Sequence, residues 1–344
     1  MGADMTQKRL SSPGVVVLYN ESQTLIKGEP EDMLAENEVI ECAALIAKAL
    51  SPHYKVVQVP VRTEVELALA PYPPTKWMVF NLAEGLDGKL FEGARIAWAL
   101  EAMGYCFTGS GGDSLAYSTH KAITKKMLQQ VHIPTPRGWV FRHSCEIDGG
   151  VEFPVIVKPV AEDGSLGIWD EAVAHNKKAL STKVDYILER YCQLALVEEF
   201  IPGREFNIAV WGNPPEVLPL YEIDFSDFSN PQEQIVSYAA KWMEDSFAYH
   251  HTPGICPASV DKHLGDEIRK VALGAFQALK CKGYARVDIR VSNENIPYVI
   301  EVNCNPDLAQ EAGFARATQT AGYSYQDMIL HILDIAEKEY LPIC

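Results

Sequence analysis

Near its carboxyl end the chain reads Tyr284-Ala-Arg-Val-Asp-Ile-Arg-Val291, then Ser292-Asn-Glu-Asn295 and, after three further residues, Val299-Ile-Glu-Val-Asn303. The first and last of these segments alternate polar and apolar residues, and a period of two is typical of strands with one buried face. The polar turn between them reverses the chain. The pattern predicts an antiparallel hairpin with one polar face and one apolar face, whose apolar residues, Ile300 and Val302 among them, point into the core.

The polar face of this hairpin is a candidate metal site. Pairing of the strands can bring Asp288 close to Glu301 and Asn303, and three oxygen ligands without cysteine or histidine suit Mg²⁺ bound with substrate phosphates. Arg286 and Arg290 flank the aspartate, and cations beside such a site suit a polyphosphate substrate. The alternative is the solvated face of an ordinary amphipathic hairpin.

A second candidate site joins a lysine to a glycine-containing loop. Phe153-Pro-Val-Ile-Val-Lys-Pro159 places Lys158 at the end of an apolar strand, directly before Ala161-Glu-Asp-Gly-Ser-Leu-Gly167. In that loop, backbone N–H groups around Ser165 can turn toward an anion, with the lysine as a point charge. A surface lysine and a common turn are the alternatives, and the adjacency of the two features favours a phosphate site.

Two further segments carry candidate ligand contacts. Leu196-Val-Glu-Glu-Phe-Ile-Pro-Gly-Arg-Glu-Phe206 can line a purine pocket and offer Glu205 to a ribose, or it is a strand–turn–strand with acidic ends. Tyr238-Ala-Ala-Lys-Trp242 lies in the long polar segment 224–252. Because long loops without regular structure are usually lids or disordered, we expect Lys241 to belong to a lid that closes over phosphates and excludes water.

Composition limits the class of protein. The chain has 344 residues and a formal net charge of −16, which argues against nucleic-acid or anionic-membrane partners. No apolar run is long enough for a transmembrane helix or the core of a signal peptide. The eight cysteines show no metal-binding spacing, so we expect reduced thiols in a cytoplasmic protein.

The order of predicted elements indicates three units. Strands and helices alternate over the first unit, which predicts a parallel sheet covered on both faces. Shorter strands follow in the second and third units. The predicted units are 1–119, 120–197 and 198–344. The predicted strands are 14–19, 54–61, 76–81, 106–108, 151–160, 194–201, 206–211, 217–223, 286–291 and 297–302. The predicted helices are 35–50, 93–103, 121–130 and 325–339.

Taken in order, these segments resemble the ATP-grasp superfamily and, within it, the D-alanine–D-alanine ligase branch. The resemblance runs from about Val15 to Ile335. Its motifs are Phe80-Asn-Leu-Ala-Glu-Gly85, Phe107-Thr-Gly-Ser110, His120-Lys-Ala-Ile-Thr-Lys125, Phe153–Val160, Val197–Phe206, Tyr238–Trp242 and Arg286–Asn303. It implies an α/β (α+β) ATP-grasp fold of three domains that begins with a Rossmann-like parallel-sheet domain.

The resemblance also implies a role for each matching position. ATP phosphates would contact Lys121, Lys158, Lys241 and, in the small loop, Ser165. The base and ribose would contact Glu198, Glu199, Phe200, Ile201 and Glu205. Magnesium, as two ions, with Mn²⁺ as an alternative, would be held by Asp288, Glu301 and Asn303. Arg286 would act in catalysis with Lys241 and Ser165, and Glu36 would hold the ammonium of the first amino acid.

The activity implied is a two-step ligation of a small carboxylate and a small amine. The carboxylate attacks the γ-phosphate of ATP to form an acyl phosphate, and the amine then displaces phosphate to form an amide, peptide-like or imine bond. Positioned cations carry most of such catalysis. Dimers are common in the resembling family, so a homodimer is one expected state.

The departures from the family pattern lie on the substrate side. Asp307 replaces a glycine, Ala312 a carboxylate-binding serine, and Trp242 the lid tyrosine. Gly164 replaces a serine of the small loop and Glu84 a histidine of the first unit. We therefore expect an acceptor other than D-alanine. Arg290 and Arg316 are candidate acceptor anchors or structural ion pairs, and a divergent D-alanine–D-alanine ligase and a non-catalytic ATP-binding module are the alternative functions.

Overall fold

The fold begins with a small parallel sheet. The computed structural model describes residues 14–21, 27–29, 33–85 and 89–340, of which 33–38 as backbone alone. The strands β1 (Gly14–Asn20), β2 (Val56–Val61) and β3 (Trp77–Asn81) pair in the order β2-β1-β3. The helices of this part are α1 (Met33–Leu50), α2 (Val65–Leu69) and α3 (Glu92–Met103). The predicted strand 106–108 is wrong in extent, because only Phe107 forms a parallel bridge, with Val79.

The middle of the chain forms a four-stranded antiparallel sheet. Helices α4 (Gly112–Thr119) and α5 (Lys121–Gln130) precede it. Its strands are β4 (Gly138–Phe141), β5 (Val155–Pro159), β6 (Val173–Ala174) and β7 (Ala195–Glu199), in the order β4-β7-β5-β6. Helix α6 (Lys177–Arg190), which the sequence interpretation missed, buries Leu180, Val184 and Ile187. This spacing of four and three residues places all three on one helix face.

A second antiparallel sheet carries the predicted hairpin. Its strands are β8 (Gly203–Trp211), β9 (Glu216–Val217), β10 (Tyr221–Ile223), β11 (Gly254–Ile255), β12 (Tyr284–Ser292) and β13 (Pro297–Asn303). The order is β11-β10-β8-β12-β13, and β9 pairs with β8. The predicted strand 217–223 is therefore two strands. Helices α9 (Lys262–Ala278), α10 (Gly313–Thr320) and α11 (Tyr325–Tyr340) pack around this sheet.

The segment 224–252, expected to be a loop, contains two short helices, α7 (Tyr238–Trp242) and α8 (Phe247–His250). Each begins at a serine whose hydroxyl accepts a backbone hydrogen bond, from Ala240 to Ser237 and from Tyr249 to Ser246. Such N-caps satisfy the first free amides of a helix. Serine capping therefore gives this polar segment regular structure.

The predicted hairpin is confirmed, with one irregularity. Asp288 on β12 lies opposite Glu301 on β13, but the next pair is Ile289 with Val299. Ile300 is thus the extra residue of a β-bulge, a feature that redirects side chains locally. The expectation that Ile300 points into the core is wrong: it is half-buried and lines a cavity, whereas Val302 is buried.

A shared core holds the first and third parts together. One cluster joins Val17 and Phe80 of the parallel sheet to Trp211, Tyr284 and Met328 of the carboxyl-terminal part. Helix α1 packs directly on α11. Within the described ranges, no helix is long and apolar enough to cross a membrane.

Candidate active site

Two adjoining cavities lie among the three sheets. The inner cavity, about 120 Å³, lies between the middle sheet and the carboxyl-terminal sheet. The outer cavity, about 490 Å³, reaches from the ends of β1 and β3 to the start of α10. Both cavities are lined by Asn207, Val236, Lys241 and Arg286, so these residues form the junction between them.

The hairpin brings two of the predicted metal ligands together beside the inner cavity. The Asp288 carboxylate accepts two hydrogen bonds from Arg286, at 2.7 and 2.8 Å, and one from Asn207 at 2.9 Å. Glu301, opposite Asp288, pairs with Lys121. Burial favours the neutral form of Glu301, but the charge of Lys121 outweighs burial and lowers its pKa. Each of the two carboxylates therefore has an adjacent cationic side chain as its ion-pair partner.

The third predicted ligand, Asn303, lies opposite Arg286 and lines the outer cavity. Its side-chain oxygen accepts a hydrogen bond from the backbone of Asn305 at 2.8 Å. Among the described residues, no three His, Cys, Asp or Glu side chains are grouped to hold a metal ion. The candidate set is thus two carboxylates and an amide, all hard oxygen donors of the kind that Mg²⁺ prefers.

Four predicted cations surround the inner cavity, namely Lys121, Lys158, Lys241 and Arg286. Lys158 pairs with the buried carboxylate of Glu198. Lys241 makes no ion pair within the described part of the chain, and it faces both cavities. Burial and the neighbouring charge of Arg286 lower the pKa of Lys241. An anion bound beside a buried lysine with a cationic neighbour stabilises the charged form of that lysine.

The small loop is hydrogen-bonded to α7 and to Val236, which lies just before that helix. Ser165, which adopts a left-handed backbone with φ of 62°, donates from its hydroxyl to the Val236 carbonyl at 2.8 Å. The indole N–H of Trp242 donates to the Gly164 carbonyl at 2.8 Å. Tyr238 is fully buried beside Trp169, with ring centroids 5.2 Å apart. In this structure α7 is therefore docked on the loop.

The predicted base-binding segment forms one wall of the inner cavity. Phe200 and Ile201 line it together with Ile156, Ile168 and Ile300, which makes an apolar slot. The Glu199 side chain instead reaches Arg137 at the rim, at 3.3 Å.

The predicted ribose ligand lies deeper in the same cavity. Glu205 is 7% exposed and contacts Arg290 at 2.9 Å. Burial raises the pKa of Glu205, and the charge of Arg290 opposes that rise.

The candidate substrate residues separate into two groups. Glu84 and Asp307 line the outer cavity. Arg290 lies on the inner cavity, and Arg316 is half-exposed and paired with Glu311 at 2.7 Å. The side chain of Glu36 lies outside the described residues.

Two site residues were missed by sequence reasoning. Lys125 is 7% exposed and pairs with Glu198, and Asn207 holds Asp288. Both left a signal: Lys125 follows Lys121 by one helical turn, and Asn207 follows Glu205 on the same face of a strand.

A cation-lined cavity between two antiparallel sheets, preceded by a parallel α/β unit, defines an ATP-grasp ligase, an enzyme that forms carbon–nitrogen bonds. Residues 134–334 match the family described as D-ala D-ala ligase C-terminus. The chain belongs to the D-alanine–D-alanine ligase family, and the predicted fold and ligase class are confirmed.

Relatives cover most of the chain. An uncharacterized protein of Sinorhizobium fredii is 35% identical over 281 residues, 81% of this chain and 80% of its own length. The D-alanine–D-alanine ligase of Desulforudis audaxviator is 30% identical, over 74% of this chain and 80% of its own. The crystal structure of D-alanine–D-alanine ligase from Bacillus anthracis complexed with ATP superposes with a TM-score of 0.72 at 19% identity, covering 96% of this chain and 99% of that one. This last likeness supports the fold.

Proposed function

We propose that the protein is an ATP-dependent carboxylate–amine ligase that acts through an acyl phosphate on amino-acid-like substrates, with an acceptor other than D-alanine. The observation that carries this proposal is the junction of the two cavities. Lys241 and Arg286 line both, so a phosphoryl group arriving from the inner cavity and a carboxylate from the outer cavity meet beside the same two cations.

The inner cavity suits a nucleotide. Its apolar slot of Phe200, Ile201 and Ile300 can take the base, and the carboxylate of Glu205 can accept hydrogen bonds from ribose hydroxyls. Lys121 and Lys158 line the same cavity as the carboxylates of the hairpin, where the phosphates would lie. The crystal structure of the Bacillus anthracis enzyme with ATP supports this ligand for the same fold.

Asp288, Glu301 and Asn303 would hold Mg²⁺, or Mn²⁺, which takes the same oxygen donors. When bound, the ion neutralises phosphate charge and aligns the phosphates for in-line attack. In the structure Arg286 pairs with Asp288 and Lys121 pairs with Glu301, so an ion bound there would share these carboxylates with two cationic side chains.

The first chemical step transfers the γ-phosphoryl group to the donor carboxylate, releasing ADP. Lys241 and Arg286 stabilise the negative charge of the transferring group, and this electrostatic contribution dominates in phosphoryl transfer. The amine then attacks the acyl carbon, and phosphate leaves with the bonding electron pair. Helix α7, docked on the small loop, keeps water from the acyl phosphate.

The acceptor proposal rests on the far wall of the outer cavity. Asp307 presents a carboxylate there, held by the backbone N–H of Ala309 at 2.7 Å. Ala312, the N-cap of α10, has no hydroxyl to bind a carboxylate. The carboxylate of a bound D-alanine would thus meet a like charge and lack the serine of the resembling ligases.

A phosphate-release screen tests the proposal. The protein is incubated with Mg-ATP and with donor carboxylates paired with amino acids or simple amines, including D-alanine alone. Products are identified by mass spectrometry. We expect ADP, phosphate and a condensed product from a pair without D-alanine as acceptor. AMP and pyrophosphate would overturn the acyl-phosphate route.

The relatives named as D-alanine–D-alanine ligases favour a second candidate, a divergent enzyme of that specificity. Greatest turnover with D-alanine alone would establish it in place of our proposal. Nucleotide binding without phosphate release from any pair would indicate a binding module instead.

A further inference from the structure

A buried cluster of three charges lies behind the inner cavity. Glu198, 1% exposed, is contacted by Lys158 at one carboxylate oxygen and by Lys125 at the other. Lys125 also donates a hydrogen bond to the hydroxyl of Thr135 at 3.0 Å. One carboxylate therefore has two ammonium partners, although one would suffice to neutralise it.

The two lysines differ in what they can reach. Lys158 lines the inner cavity, whereas Lys125 lies behind it, on the far side of Glu198 from the cavity's lysine. The stem of Lys125 packs against the backbone of β4, where a Cβ at Gly138 would lie 2.9 Å from its Cε. Thr135 and this close approach confine Lys125 to Glu198, while Lys158 can turn toward a ligand.

We infer that Lys125 is a positioning residue for nucleotide binding: it keeps Glu198 paired when Lys158 leaves that carboxylate for the nucleotide phosphates. The inference rests on the proposed function, which assigns Lys158 to the phosphates. Without Lys125, the same movement would leave a buried carboxylate without a counter-ion, and that state is strongly unfavourable. The free-energy cost of that unpaired carboxylate would weaken nucleotide binding by the same amount.

The charges of the cluster support this reading. Burial favours a neutral Glu198, but Lys125 and Lys158 outweigh burial and keep its pKa below the usual value. Burial lowers the pKa of Lys125, and Glu198 opposes that shift. Glu198 therefore stays ionised at neutral pH and continues to need a partner when one lysine departs.

The test is a set of calorimetric titrations with the non-hydrolysable ATP analogue AMP-PNP and Mg²⁺. Lys125→Met is compared with Lys126→Met, a matched control on the exposed side of the same helix. We expect Lys125→Met to raise the Kd on the order of 100-fold, and the control to change it by less than about 2-fold. In a Glu198→Gln background, Lys125→Met should change the Kd by less than about 3-fold, because no buried charge is left.

Three results would overturn the inference. They are a Kd for folded Lys125→Met equal to that of the control, an equal loss with and without Glu198→Gln, and a lowered melting temperature with unchanged nucleotide binding. Should Lys125→Met not fold, Thr135→Val loosens the same lysine more gently and should raise the Kd about 3-fold; an unchanged Kd in that variant would overturn the inference. Failure of the wild type to bind nucleotide would overturn the proposed function as well.

Discussion

Replacing Arg290 by methionine tests how the nucleotide side of the site is held. The guanidinium, 4% exposed, donates to Glu205 at 2.9 Å, to the Ile201 carbonyl at 3.1 Å and to the Gln234 carbonyl at 2.6 Å. Arg290 thus joins the base-binding segment, the ribose candidate and the segment that leads to α7. Methionine keeps much of the stem and removes the charge and all three donors.

The expected destabilisation follows from the carboxylate left behind. Glu205 is buried, and removing one partner of a buried ion pair lowers the free energy of unfolding by about 3–5 kcal/mol. Glu205 already has a pKa above its ordinary value of 4.5 because of burial. A raised pKa in the folded state means that protonation favours folding, and this contribution is lost as pH rises through the folded pKa. Loss of Arg290 raises that pKa further, so the penalty is largest at neutral pH and shrinks as pH falls toward 4.5.

The assay is urea unfolding followed by tryptophan fluorescence, at neutral and at mildly acidic pH. Arg269→Met is the control, because that arginine is half-exposed and lies 3.8 Å from Asp266. Its replacement should change the free energy of unfolding by less than about 1 kcal/mol. Adding Glu205→Gln to Arg290→Met should restore part of the lost stability, because the unpaired buried carboxylate is then removed. Destabilisation below about 1 kcal/mol, or an equal loss at both pH values, would refute the reasoning.

Three further variants probe the chemistry. Glu301→Gln should lower Mg²⁺-dependent phosphate release at least about 100-fold while circular dichroism stays unchanged; normal turnover would remove Glu301 from the metal site. Lys241→Ala should lower turnover about 10²–10³-fold with a melting temperature close to that of the wild type. A marked fall in melting temperature along with turnover would indicate a structural role instead. Trp242→Phe removes the hydrogen bond to Gly164 and should raise ADP formed per product, measured against the exposed control Trp98→Phe; an unchanged ratio would contradict a role in excluding water.

Local pattern predicted the hairpin because its determinants are local. Alternation along β12 and β13 is visible in the sequence, and the pairing of Asp288 with Glu301 follows from it. The bulge at Ile300 could not be predicted, because a two-residue period assumes an uninterrupted ladder. The position of Arg290 was equally inaccessible: its face on the strand was predicted, but which cavity that face meets depends on how β12 packs against β8 and on the segment around Gln234.

Helix α9 is absent from the predicted elements although the sequence carries its signals. Asp261 caps it by accepting from the backbone N–H of Leu264, and Leu264, Ile268 and Val271 bury one face. Lys158, near a strand end, and Asp288 and Glu301, on alternating strands, are candidates that local sequence indicates. Lys125 is not among them, since its importance comes from Glu198, which is 73 residues away along the chain.

The docked α7 has a consequence for the rate at which nucleotide enters. The inner cavity, about 120 Å³, is smaller than the roughly 300–1,000 Å³ of ordinary ligand pockets. Undocking of α7 would break the hydrogen bond from Trp242 to Gly164, expose Tyr238 and widen this cavity, which Lys241 of α7 lines. If the undocked form is a minor species that admits ligand, the observed association rate levels off at high ATP concentration, at the rate of undocking. The rate of nucleotide entry would then be limited by how often the ring of Tyr238 leaves its buried position beside Trp169.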